Sequence, residues 1–146
     1  MPMQLHQYVP NQIKIIFKGV EARGIKKGTF CKVSYATDVW TDSISADGED
    51  MTRVQSLDES GWIEITLEAG SETNRQFMEI IASDKINRDG VGAASVRDLN
   101  GNDKHTSEKS WLTLVPPSEY AEAAGERMWK IRCMKLKSFV GGSLSV

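Results

Sequence analysis

The sequence predicts a mainly β protein: a β-sandwich or small barrel with one flanking α-helix over about residues 71–84 and a long hairpin over about residues 39–56. Three observations carry the prediction. After Trp62, residues 63–68 alternate apolar and polar without a break, the period-2 signature of a half-buried strand. Ser71 opens a segment in which Phe77, Ile80 and Ile81 fall at helical spacing. Between two short, polar strand-like runs stands Ala46-Asp47-Gly48-Glu49-Asp50, the composition of a tight reversal.

In chain order, residues 13–18 alternate, with Ile13, Ile15 and Phe17 on one face. A basic loop with three glycines follows over residues 19–28, then a second strand over 29–35, where Thr29, Cys31, Val33 and Tyr35 oppose Phe30 and Lys32. Residues 39–45 and 51–56 are the two arms of the hairpin. They hold few apolar residues, so the hairpin buries little core of its own, is marginal alone, and gains stability when laid against a neighbour. In the strand at 62–68, Ile63, Ile65 and Leu67 face one way, and Trp62, Glu64, Thr66 and Glu68 the other. Ser71 is a good N-cap, and Glu72 suits the positive end of the helix dipole. Asp89-Gly90-Val91-Gly92 reads as a loop, Val96 as the centre of a short strand, and residues 98–103 as a turn. Residues 111–115 form a strand ended by Pro116-Pro117, and residues 118–127 are a short helix or an ordered loop. The last strand spans residues 128–139. Trp129, Ile131 and Cys133 share a face, after which Met134, Leu136 and Val140 become the apolar set; this slip of one residue predicts a β-bulge near Cys133 or Met134, or a strand that serves two different sheets.

A chain of 146 residues fits a single domain over residues 1–146 with one core. No apolar run approaches the ~18 residues that span a bilayer. Met1-Pro2-Met3-Gln4 lacks the basic and apolar regions of a signal peptide, so neither secretion nor a membrane anchor is expected. Cys31 and Cys133 lack the pattern of a disulfide framework and are expected as free, mostly buried thiols. Of Trp40, Trp62, Trp111 and Trp129, at least two are expected in the core.

The net charge of −2 conceals segregation. Residues 1–37 carry six basic groups against Glu21 alone; residues 38–84 carry twelve acidic groups against Arg53 and Arg75; residues 85–146 carry ten basic groups against seven acidic. Differently charged solvated faces account for this. So does self-assembly, with a negative surface of one copy meeting a positive surface of the next.

Motifs that carry chemistry are missing. Asp98-x-Asn100-x-Asn102 opens like a calcium loop, but its sixth position is Asp103 instead of glycine and its twelfth is Lys109 instead of glutamate. Gly90-x-Gly92 lacks the third glycine of a dinucleotide fingerprint. His6 and His105 stand far apart, neither at metal-ligand spacing from a cysteine, and both are expected in solvent. No nucleophile elbow is present, and carboxylates such as Glu64 and Glu68 on an outer strand face are expected to be solvated or salt-bridged. No catalytic residue, metal or cofactor is expected. Lys130, Arg132, Lys135 and Lys137 make the last strand basic, which suits a solvated or partner-pairing face better than phosphate binding.

Asp47-Gly48, Thr52-Arg53, the run from Asp58 to Leu67, Gly70-Ser71-Glu72-Thr73-Asn74, Asp84 and Asp98-Leu99-Asn100-Gly101 together resemble the signature of phage tail tube proteins. The likeness is to the short tube proteins of contractile-tailed phages and covers most of the chain in order. It implies a β-sandwich or barrel with a flanking helix, a fold shared with type VI secretion tubes. It further implies a homohexameric ring whose strands join around a channel, with rings stacking head to tail into a tube that conducts DNA from capsid to host. The implied partners are further copies of the chain and the sheath, tape-measure, baseplate and tail-terminator proteins. DNA passes without sequence-specific binding, and the implied location is the virion tail, assembled in the host cytoplasm. Under that resemblance Val39, Trp40, Asp47, Gly48, Glu49, Asp50 and Arg53 are the candidate inter-subunit hairpin, and Glu64, Thr66 and Glu68 the candidate lining of a negative channel. Two other readings remain open from the residues: the inner tube of a phage-derived bacteriocin or other contractile injection system, and a β-sandwich that binds a small ligand.

Overall fold

The computed structural model describes residues 3–142. The expectation drawn from the N-terminal four residues falls partly on residues 1 and 2, outside that span. Among the described residues, no helix is long and apolar enough to cross a membrane.

Ten strands and one α-helix follow a 3-10 turn at Pro10–Gln12: β1 Ile13–Phe17, β2 Val20–Glu21, β3 Cys31–Tyr35, β4 Trp40–Ile44, β5 Met51–Gln55, β6 Gly61–Glu68, α1 Glu72–Asn87, β7 Gly92–Asp98, β8 Lys104–Leu112, β9 Glu126–Cys133 and β10 Lys137–Phe139. One antiparallel sheet runs in the order β2-β1-β7-β8-β9-β6-β3, with β10 also on β8. Its ends, β2 and β3, do not pair with each other, so the sheet folds over as a sandwich and does not close into the small barrel held open above. The inward residues Ile15 and Phe17 of β1, Ala94 and Val96 of β7, Ile63, Ile65 and Leu67 of β6, and Trp129 and Ile131 of β9 form one buried cluster.

Helix α1 covers one side of that cluster. Phe77 stands edge-on to Phe17 at 6.2 Å and to Trp129 at 5.3 Å between ring centroids. Its N-terminus is tied down: the Ser71 hydroxyl accepts from the Thr73 amide, and the buried Thr73 hydroxyl accepts from the Arg23 amide at 3.0 Å. Asn74 joins three elements. Its Oδ1 accepts from Trp129 Nε1 at 2.8 Å, while its Nδ2 donates to the carbonyl of Glu68 at 3.0 Å. At the other end Asp84 accepts from the Gly90 amide at 2.9 Å, and a Cβ at Gly90 would meet the Asp84 carboxyl at 2.4 Å.

Four local expectations need correction. The basic loop at 19–28 contains β2, because Lys18 and Gly19 both adopt positive φ (50° and 82°) and reverse the chain. A lysine there gives no turn signal in sequence. The strand expected at 111–115 ends at Leu112 and begins at Lys104. Its inward positions are Ser107 and Ser110, 4% and 0% exposed, so no apolar alternation marks it. Only Trp129 among the four tryptophans is fully buried. Met134, expected on the apolar set, is exposed, whereas Leu136 is buried. Residues 118–125 form neither helix nor strand.

The phase slip in the last strand is the gap between β9 and β10. Beside it β8 carries its own irregularity: Gly92 pairs Ser110 while Ala94 pairs Ser107, which leaves residues 108–109 unpaired with β7. The Met134 amide donates across to the Lys109 carbonyl at 3.0 Å. Two adjacent interruptions bend the sheet here and turn side chains outward.

Candidate functional site

The hairpin β4–β5 is a separate two-stranded sheet. Every residue from Ala36 to Gln55 is exposed, so it projects from the body without a core of its own. Pairing is regular from Trp40 opposite Gln55 to Ile44 opposite Met51. The Gly48 amide donates to the Ser45 carbonyl at 2.9 Å, and Gly48 has φ 75°, a conformation that glycine adopts without strain. Asp47 Oδ1 accepts from the Ser45 hydroxyl and the Glu49 amide; these two bonds hold its carboxyl below the usual carboxylate range. Arg53 lies 3.7 Å over the Trp40 ring, which fixes both side chains on one face. Val39, Ile44, Met51 and Val54 remain more than half exposed. Thus all seven candidate hairpin residues lie in or beside this arm, but at different levels: Asp47, Gly48, Glu49 and Asp50 at the tip, Val39, Trp40 and Arg53 nearer the base.

The base is anchored. The Ala36 amide donates to the Ser60 carbonyl, and the Thr37 and Ser56 hydroxyls lie 3.1 Å apart. Asp58 Oδ1 accepts from the Ser60 amide and hydroxyl, which lowers its pKa, and Arg132 donates to the Ser60 hydroxyl at 2.8 Å. A Cβ at Gly61 would meet the Ser34 carbonyl at 2.5 Å, so β3 and β6 approach closely only because Gly61 has none.

Glu64, Thr66 and Glu68 share the outward face of β6, each partly exposed. Around them the charge is mixed. Glu64 lies opposite Lys32 and Lys130, 3.8 Å from the Lys130 ammonium. Lys130 and Arg132 stack on Trp62 at 4.2 and 4.5 Å. Glu68 stands opposite Glu126, which pairs with Lys26. The basic last strand is therefore partly spent within the chain, on Trp62, Ser60 and Glu64.

His105, expected in solvent, is half-buried on β8 with Nδ1 2.7 Å from the Ser138 hydroxyl of β10, and burial lowers its pKa while Asp103 opposes the shift. His6 is exposed. Cys31 and Cys133 are free. Burial pushes the Cys31 thiol up to about 12, and raises Cys133 against the opposing Ser110 and Ser107 hydroxyls. Both thiols are thus held protonated and unreactive near neutral pH. Asp98 accepts from the Asn100 amide at 2.9 Å and caps its turn, the job that Asp47 and Asp58 do in theirs. The sequence marks Lys135 and Lys137 as part of a basic strand but not the exposed corner they share with Lys109 and Met134, which strand pairing brings together from segments 25 residues apart.

No family model matches the sequence, and no curated protein matches it. Solved structures do. The sheath/tube terminator of PVC, an extracellular contractile injection system, shares 10% identity at a TM-score of 0.64, over 93% of this chain and 99% of that one. The tube-terminating cap of the anti-feeding prophage AFP shares 9% identity at a TM-score of 0.62, over 95% of each chain. At such identities the likeness is one of fold, and the fold is one found among the components of contractile injection particles.

Proposed function

We propose that the chain is a structural subunit of a phage tail tube: hexameric rings of it stack head to tail into a hollow tube that conducts DNA from capsid to host. The observation that carries this reading is the projecting hairpin. A 20-residue arm with Val39, Ile44, Met51 and Val54 exposed and an acidic tip buries none of its residues among the described residues of its own chain. It is stabilised by a neighbour, and a contact from one end of a subunit to a different surface of the next propagates without limit. The edge strand β3 supplies a second template for pairing between copies. On this reading the outward face of β6, with Glu64, Thr66 and Glu68, lines the channel. Its interspersed charges avoid the run of phosphate contacts that would make DNA adhere. The tube subunit works in the virion tail after assembly in the host cytoplasm, against sheath, tape-measure and baseplate proteins.

A second reading, a ring that terminates the tube, is favoured by the fold likeness to a terminator and a cap over almost the whole chain. The inner tube of a DNA-free injection particle needs the same assembly as the first. Negative-stain electron microscopy of the purified protein across a concentration series separates the tube and terminator readings. The tube reading expects open-ended tubes with six-fold symmetry and a central channel. Discrete rings that never stack would replace it with the terminator reading. A protein that stays monomeric even with tail-tip components added would overturn both and leave a ligand-binding sandwich.

A further inference from the structure

The corner where β8 and the β9–β10 junction are both interrupted opens a groove of about 410 Å³. Lys109, Lys135 and Lys137 line it with Met134, Thr106 and one carboxylate, Glu108. Lys109, Met134, Lys135 and Lys137 are all exposed, and none of the three lysines makes an ion pair among the described residues. A regular strand would place Met134 on the face opposite Lys135 and Lys137; the break between β9 and β10 lets all three line one groove with Lys109.

The hairpin tip is the complement of this groove. It carries Asp47, Glu49 and Asp50, also without ion pairs, directly beyond the apolar pair Ile44 and Met51, each 63% exposed. The tip does not meet the groove of its own chain. Lys137 also lines the cleft at the hairpin base, with Val39 and Ser56, so the groove lies by the base. Five-residue arms hold the tip roughly 17 Å away. One chain thus displays an acidic surface and a basic one at opposite ends of one arm.

We infer that the acidic hairpin tip of one copy docks in the lysine–methionine groove of the next, with Glu49 and Asp50 against Lys135 and Lys137 and the Ile44–Met51 pair against Met134. The inference rests on the assembly reading above and names the surface that receives the arm. It accounts for the charge segregation of the sequence, since the acidic middle and basic C-terminal third supply the two halves of one contact.

The test is a charge swap read by sedimentation and electron microscopy. Glu49→Lys/Asp50→Lys and Lys135→Glu/Lys137→Glu each raise the concentration needed for assembly by at least about tenfold, because like charges then face each other. The four substitutions combined restore assembly within one chain. All four side chains are exposed, so monomer melting stays unchanged and excludes misfolding as the cause. Assembly of either double variant at the wild-type concentration overturns the inference and leaves the assembly reading standing, as does failure of the combined variant to recover. A wild-type protein that never assembles overturns both.

Discussion

Strand β6 and the hairpin β4–β5 are separated by five residues and obey opposite rules. In β6, Ile63, Ile65 and Leu67 are completely buried and alternate with partly exposed polar neighbours. In the hairpin strands no residue is buried: one face mixes Trp40, Ile44 and Met51 with Asp42 and Arg53, and the other carries Thr41, Ser43, Thr52 and Val54. Both are well-paired antiparallel β-structure. What differs is the partner: β6 has β3 and β9 beside it and α1 across the core, whereas the hairpin has its own two strands. Backbone pairing alone is marginal in water. The difference teaches that the body carries the stability of the chain, while the arm, exposed along its length, adds little to it.

Two substitutions and a deletion break or sharpen the contrast. Phe77→Ala removes the ring that joins Phe17 to Trp129 and costs about 3–5 kcal/mol in urea denaturation, because the surrounding strands cannot collapse into the space. A loss below 1 kcal/mol would mean that α1 is not integral to the core. Next is pH. His105 has its folded pKa below 6.5, so its contribution is complete above pH 6.5 and declines as pH falls below it, until the folded pKa is reached. The hairpin offers only carboxylates, and the lowered Asp47 loses its contribution only as pH falls through that depressed value. Thermal melts between pH 5 and 7 therefore weaken modestly in the wild type and flatten in His105→Gln. An unchanged slope would transfer the effect to another group. Smallest is deletion of residues 46–50, which leaves the monomer within about 0.5 kcal/mol of wild type while abolishing assembly. Intact tubes from that variant would falsify the arm's role as a contact.

Much of the body was legible because local chemistry and tertiary demand agree there. The alternation of residues 63–68, the Ser71 cap and the Gly48 reversal each have a local cause that the fold retains. Residues 104–110 were not legible, since Ser107 and Ser110 are buried as small residues against neighbouring strands and leave no hydrophobic period. The turn at Lys18 was hidden because its positive φ is imposed by β1–β2 pairing on a residue without turn preference. Of the candidate sites, the hairpin and its lack of core were visible in the polarity of the segment, while its pairing as a sheet separate from the body was not.

By itself the sequence determined the elements whose period, caps and turn residues act within about ten positions, together with the polar character that keeps the hairpin out of any core. Only the tertiary structure decided that the sheet stays open, that Asn74 joins strand, helix and Trp129, and that Lys109, Met134, Lys135 and Lys137 share one groove. Those facts depend on strand order and on a bulge in the β7–β8 pairing coming beside the break between β9 and β10, and pairing between distant segments leaves no local periodicity to read.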